Sequence, residues 1–120
     1  MDAPGGDPQA VRVTKRARLR QIHRWLEKTF PAPRPTELTF FRKPHGDGGG
    51  ATWAPGEPAV VLAVNTYYSS HECIMALVEE HAHAEVIART ELHTAPWGEA
   101  YWKRRHAFDD RGGDRESHRY

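Results

Sequence analysis

The chain has 120 residues, a formal net charge of +1, 38% hydrophobic residues, one cysteine and eight histidines. That length holds one compact domain. The lone Cys73 excludes an internal disulfide framework and cysteine-based zinc fingers, and a mean hydropathy of −0.76 with no apolar run of about 18 residues excludes a membrane-spanning helix. Metal chemistry, if present, must rest on histidines and carboxylates, and six of the eight histidines lie between His71 and His118.

Met1 to Ala10 contains Pro, Gly and Asp but no apolar core, so residues 1–12 read as a disordered leader without an address signal, in a cytoplasmic chain. From Thr14 to Phe30 the apolar residues Leu19, Ile22, Leu26 and Phe30 recur at spacings of three and four, with Trp25 widening the stripe. This predicts an amphipathic helix capped by Thr14. Its other face carries Arg12, Lys15, Arg16, Arg18, Arg20, Arg24 and Lys28 against one acid, Glu27. Pro31, Pro33 and Pro35 end it, because proline lacks the helical N–H and restrains the residue before it.

Three short β-prone segments follow: Glu37 to Arg42, Ala51 to Ala54 after the Gly-rich run His45–Gly50, and the valine-rich Ala59 to Val64. Separated by Gly, Pro and Asp clusters, they predict an antiparallel meander with the third strand central. The Gly-rich run has no Gly-Lys-Ser/Thr and no following helix start, so it reads as a hairpin loop rather than a phosphate loop. From about Ser70 to Leu92 the apolar offsets become helical, with Ser69 or Ser70 as cap and Glu72 in the first turn, where a carboxylate suits the helix dipole. Pro96 closes that segment or sits just beyond it. Trp97 to Phe108 predicts a short final helix, and 109–120 a flexible tail. The expected fold is α+β: a helix, a three-stranded sheet and two helices, in one domain over 13–108.

Within the second helix, Glu79 and His83 are four apart and differ by only about 40° around the axis, so both can face one ion, whereas His81 and His83 point about 200° apart. Glu80 lies on the shoulder of that pair, where a general base is placed to take a proton from a metal-bound water. The run Ile74–Glu85 (IMALVEEHAHAE), preceded by an apolar strand, resembles the active-site helix of SprT-like zinc metallopeptidases, which share the order helix, short β-meander, helix. The resemblance implies peptide-bond hydrolysis with one zinc ion, Glu80 as general base and His83 as a ligand. It puts Glu79 where the family has its first histidine, giving Glu-Glu-x-x-His, and carboxylate oxygen is a legitimate zinc ligand. It also puts Trp97, which cannot coordinate a metal, at the family's third ligand position. His93 is the available substitute, and it reaches the ion only if the chain turns back after the second helix.

Two readings follow: a zinc peptidase using Glu79, His83 and His93, or a catalytically silent relative that binds nucleic acid through Arg16, Arg20 and Arg24 on the basic first helix. His23, His45, His71, His106 and His118 lack a partner at ligand spacing and read as ordinary surface or core histidines. Cys73 reads as a small core residue, since a buried thiol with no nearby cation stays protonated.

Overall fold

The computed structural model describes residues 14–87 and 95–112. Its elements are α1 (Lys15–Thr29), β1 (Thr36–Phe41), β2 (Gly49–Thr52), β3 (Val60–Asn65), α2 (Ser70–Val86) and α3 (Ala95–Asp110). The class is α+β, with three helices and a three-stranded sheet among the described residues. No helix among these residues is long and apolar enough to cross a membrane.

α1 follows the apolar stripe. The Thr14 hydroxyl accepts from the Ala17 N–H at 3.1 Å, and the Phe30 N–H closes the far end on the Leu26 carbonyl. Leu19, Ile22 and Leu26 are buried, each contributing roughly 2 kcal/mol of apolar burial. The expected all-solvent basic face is corrected at Arg18 and at Lys15, whose Nζ donates to the Thr66 and Tyr68 carbonyls at 3.1 and 2.7 Å. Arg18 is only 9% exposed, its Nη1 donating to Gln21 Oε1 at 3.0 Å, because it sits beside Leu19 at the margin of the stripe and lays its stem on the core.

The sheet is mixed, which corrects the antiparallel meander. β3 is central, as its apolar sequence predicts, and β2 is antiparallel to it, but β1 lies on the other side of β3 and runs parallel to it. β1 and β2 are therefore not neighbours, and the segment between them is a crossing rather than a hairpin loop. Side chains alternate across the sheet. Val60, Leu62 and Val64, paired in register with Thr36, Leu38 and Phe40, are fully buried, while Val61 and Ala63 between them are half-buried.

Asn65 is the reason the crossing holds. It ends β3, is completely buried, and uses its whole hydrogen-bonding capacity. Oδ1 accepts from the Lys43 and Tyr67 N–H groups at 3.0 and 3.1 Å, and Nδ2 donates to the Lys43 and Asp47 carbonyls at 2.8 and 2.9 Å. The Tyr68 hydroxyl donates to the Gly46 carbonyl beside it. The stretch 42–48 is thus wrapped around the end of β3 and delivers the chain to the far edge of the sheet.

α2 begins at a reciprocal cap: Ser69 Oγ accepts from the Glu72 N–H at 3.2 Å and donates to Glu72 Oε1 at 3.0 Å. Cys73, Ile74, Leu77, Val78 and Ala82 are buried. α2 ends at Val86, and the expected continuation to Leu92 lies outside the described residues, as do the leader and His118. Pro96, expected at or just beyond the end of the second helix, lies beyond the end of α2 as the second residue of α3, where its missing N–H has no helical partner to lose. α3 runs to Asp110, two residues into the segment read as tail. Gly112, at φ +83°, follows it with its N–H on the Asp109 carbonyl.

Candidate functional site

A cleft of about 530 Å³ opens between α2 and the β2 edge. Glu79, Glu80 and His83 form the helical wall, and Asp47, Gly48 and Gly49 form much of the opposite one. Among the described residues β2 is an edge strand hydrogen-bonded only to β3, and a strand edge without a ladder partner can take up a further strand. The β2–β3 pairing requires glycine at one point, where a side chain would meet the β3 backbone rather than the α2 wall. A Cβ on Gly49 would lie 2.6 Å from the Ala63 carbonyl oxygen and 3.4 Å from Glu80 Oε2.

The three residues singled out on the second helix are therefore brought together. Glu79 and His83 are half-buried on the same wall, and Glu80 is only 8% exposed. The Glu80 carboxylate makes no hydrogen bond or ion pair among the described residues. Burial, and then the charge of Glu79, push its carboxyl up to about 7, so it is poised to take and return a proton near neutrality.

Trp97 stands against this wall. Its indole N–H donates to the Glu79 carbonyl at 3.4 Å, and its ring lies 5.3 Å from the His83 ring and stacks on Tyr101 at 5.1 Å. Trp97, near the start of α3, is thus back beside the middle of α2. His93 itself lies outside the described residues. Among those described, no three His, Cys, Asp or Glu side chains group as a metal site. Glu79 and His83 both line the cleft, and carboxylate oxygen and imidazole nitrogen are donor types that zinc accepts.

No family model, curated protein or solved structure matches the chain. What can be said of the site comes from its own geometry.

Sequence reasoning missed a second polar assembly on the opposite side of α2. His81 is fully buried. Arg104 Nε donates to its Nδ1 at 2.9 Å, so the ring is the neutral Nε2–H tautomer and donates to Glu27 Oε2 at 2.8 Å. Glu27 Oε1 accepts from the Thr36 N–H at 3.0 Å, and His23 Nε2 lies 2.7 Å from Thr36 Oγ1. Arg104, also fully buried, donates from Nη1 to the Ala100 carbonyl and pairs through Nη2 with Glu85 at 2.9 Å. The network joins all three helices to β1. Its members lie as much as 81 positions apart (His23 and Arg104), so the only local sign was that the 200° offset of His81 from His83 turns it to another face.

Desolvation lowers His81 to about 4, against the raising effect of Glu27. Glu27 is lowered although burial alone would raise it, because the Thr36 N–H and His81 stabilise its carboxylate. Cys73 is buried with Sγ 3.3 Å from the Asn65 carbonyl, and burial raises its pKa. Of the other described histidines, His45 Nε2 lies 3.2 Å from the Tyr67 hydroxyl, and His106 packs on Trp102. Of the three basic candidates, Arg16, Arg20 and Arg24 are all exposed, and the Arg16 and Arg20 guanidiniums lie over the Phe40 ring at 5.4 and 5.2 Å.

Proposed function

We propose that the chain is an SprT-like metallopeptidase-type domain acting on peptide bonds in a cytoplasmic setting. The observation that carries this reading is the facing of Glu79, Glu80 and His83 toward the β2 edge strand across one cleft. Glu79 and His83 would hold one zinc ion, with His93 as the third ligand expected from sequence. Such an ion supplies Lewis-acid polarisation of the carbonyl and a water acidic enough to ionise near neutrality. The chain's own residues do the rest. The outer edge of β2 aligns an extended peptide by backbone pairing. Glu80, with no competing partner, takes a proton and returns it to the leaving nitrogen.

Glu80→Gln is expected to lower peptide hydrolysis by zinc-loaded protein at least about 100-fold, with zinc content unchanged. Glu79→Ala and His83→Ala are expected to lose the metal itself, read by elemental analysis after dialysis. Full activity in Glu80→Gln, or protein that takes up no zinc, would refute the reading.

The exposed Arg16, Arg20 and Arg24 ridge favours a second reading, a nucleic-acid-binding module. Changing all three to Gln should weaken DNA association and reduce its salt slope by about 3, near one per phosphate contact. An unchanged slope would exclude the ridge.

A further inference from the structure

An indole cannot coordinate a metal, yet Trp97 is in contact with both α2 residues read as ligands. Its ring lies 5.3 Å from the His83 ring with the planes 31° apart, and its N–H donates to the Glu79 carbonyl at 3.4 Å. One side chain therefore meets His83 through the ring and Glu79 through the backbone. His83 lines the cleft and Trp97 is not among the residues that do, so the indole stands behind the imidazole rather than beside a bound peptide.

The indole is itself supported. Trp97, Tyr101, Arg105 and Asp109 recur at every fourth position of α3, which sets them along one face in steps of about 6 Å. Each meets the next. Trp97 stacks on Tyr101 at 5.1 Å with the planes only 13° apart, the Tyr101 hydroxyl accepts from Arg105 Nη1 at 3.2 Å, and Arg105 Nε lies 3.5 Å from Asp109 Oδ1. The helix carrying this row is fixed to α2 by the buried Arg104, which meets His81 and Glu85, two positions to either side of His83.

An imidazole turns easily about its outer torsion, whose wells are broad. Groups that orient a metal-binding histidine are worth about 10-fold to 100-fold in metal affinity. An aromatic face at 5.3 Å can do this by restricting the plane of the ring. We propose that Trp97 is a positioning residue for the metal-binding pair, holding the plane of the His83 imidazole and the backbone at Glu79 so that the two side chains are pre-set for one ion. The proposal rests on the reading of Glu79 and His83 as zinc ligands.

The test uses the full chain. Zinc affinity is measured by competition with a chromophoric chelator, and the His83 ring protons are followed by NMR in zinc-free protein, assigned by their loss in His83→Asn. Packing on an indole moves those signals upfield. Trp97→Leu keeps apolar bulk without a ring face, and should weaken zinc binding about 10-fold and return the His83 signals to the position of an unstacked imidazole. Trp97→Phe restores a ring and should bind zinc within about threefold of the native protein. Trp102→Ala removes the neighbouring indole, which is 53% exposed, and should leave both readouts unchanged. Native affinity in Trp97→Leu, or unstacked His83 signals in the native protein, overturns the positioning role and leaves the zinc reading standing. If Trp97→Leu does not fold, a Trp97→Phe variant whose His83 signals are unstacked while its zinc affinity stays native overturns it instead. Native protein that takes up no zinc overturns the zinc reading, while its His83 signals still decide whether Trp97 orients the ring.

Discussion

Asn65→Leu is expected to lower unfolding free energy by roughly 3 kcal/mol, the cost of leaving several backbone groups around a buried site without partners. Leucine matches asparagine in size but offers nothing to the Lys43 and Tyr67 N–H groups or to the Lys43 and Asp47 carbonyls. Asn65→Asp should be comparably damaging at pH 7. It restores the acceptors but points a second oxygen at two carbonyls that need a donor. Urea unfolding followed by circular dichroism measures both. Because residues 42–48 deliver Asp47, Gly48 and Gly49 to the cleft, the same variants should lose peptide affinity at urea concentrations far below their unfolding midpoint. A loss under about 1 kcal/mol would mean that Tyr68 and the β2–β3 pairing hold the crossing without Asn65.

Arg104 carries the second large effect. Arg104→Met is expected to cost roughly 3 kcal/mol, since removing one partner of a buried ionic network leaves the others desolvated without compensation. Arg104→Lys should recover little of it, because one ammonium cannot replace a fork that meets His81, the Ala100 carbonyl and Glu85 at once. The network also fixes the pH dependence. His81 is neutral in the fold down to about pH 4, whereas in the unfolded chain it takes a proton near 6.5. Between those values His81 binds more protons in the unfolded state, so its contribution to stability falls by roughly 3 kcal/mol as the solution is acidified, while Glu80, raised to about 7 in the fold, takes its proton first in the folded state and opposes that loss. His23, lowered chiefly by burial, acts in the same direction as His81. Glu27, depressed in the fold, contributes stability that is present above the usual carboxylate range and lost as pH falls through its folded value. In Glu80→Gln, where that opposing group is absent, urea midpoints that are equal at pH 7 and pH 5 would contradict this account.

These two sites show where the sequence was legible. The α1 stripe, the Thr14 and Ser69 caps and the proline stop are encoded within one or two turns, and each appears where the periodicity puts it. The apolar β3 announces its central place because it must be covered on both edges. The Glu79–His83 pair is legible for the same reason, since four positions on a helix fix a shared face. Sheet direction is not local. It depends on whether 42–48 folds back as a hairpin or crosses the end of β3, and that is decided by Asn65, which in the sequence is one turn-forming residue among several. The His81–Arg104 contact and the burial of Arg18 likewise follow from how helices pack against one another, which no window along the chain contains.

The parallel pairing of β1 with β3 sets an order of assembly. Every registered pair between these strands is 24 positions apart, whereas Thr52 meets Val61 across a turn of only nine positions. Closing the longer loop costs more chain entropy before any contact is made. The β2–β3 unit is therefore the natural early structure, and β1 joins once Asn65 has gathered the crossing. On this entropic count, a difference of about 1 kcal/mol or less, the β2 wall of the cleft can form its ladder with β3 without waiting for β1.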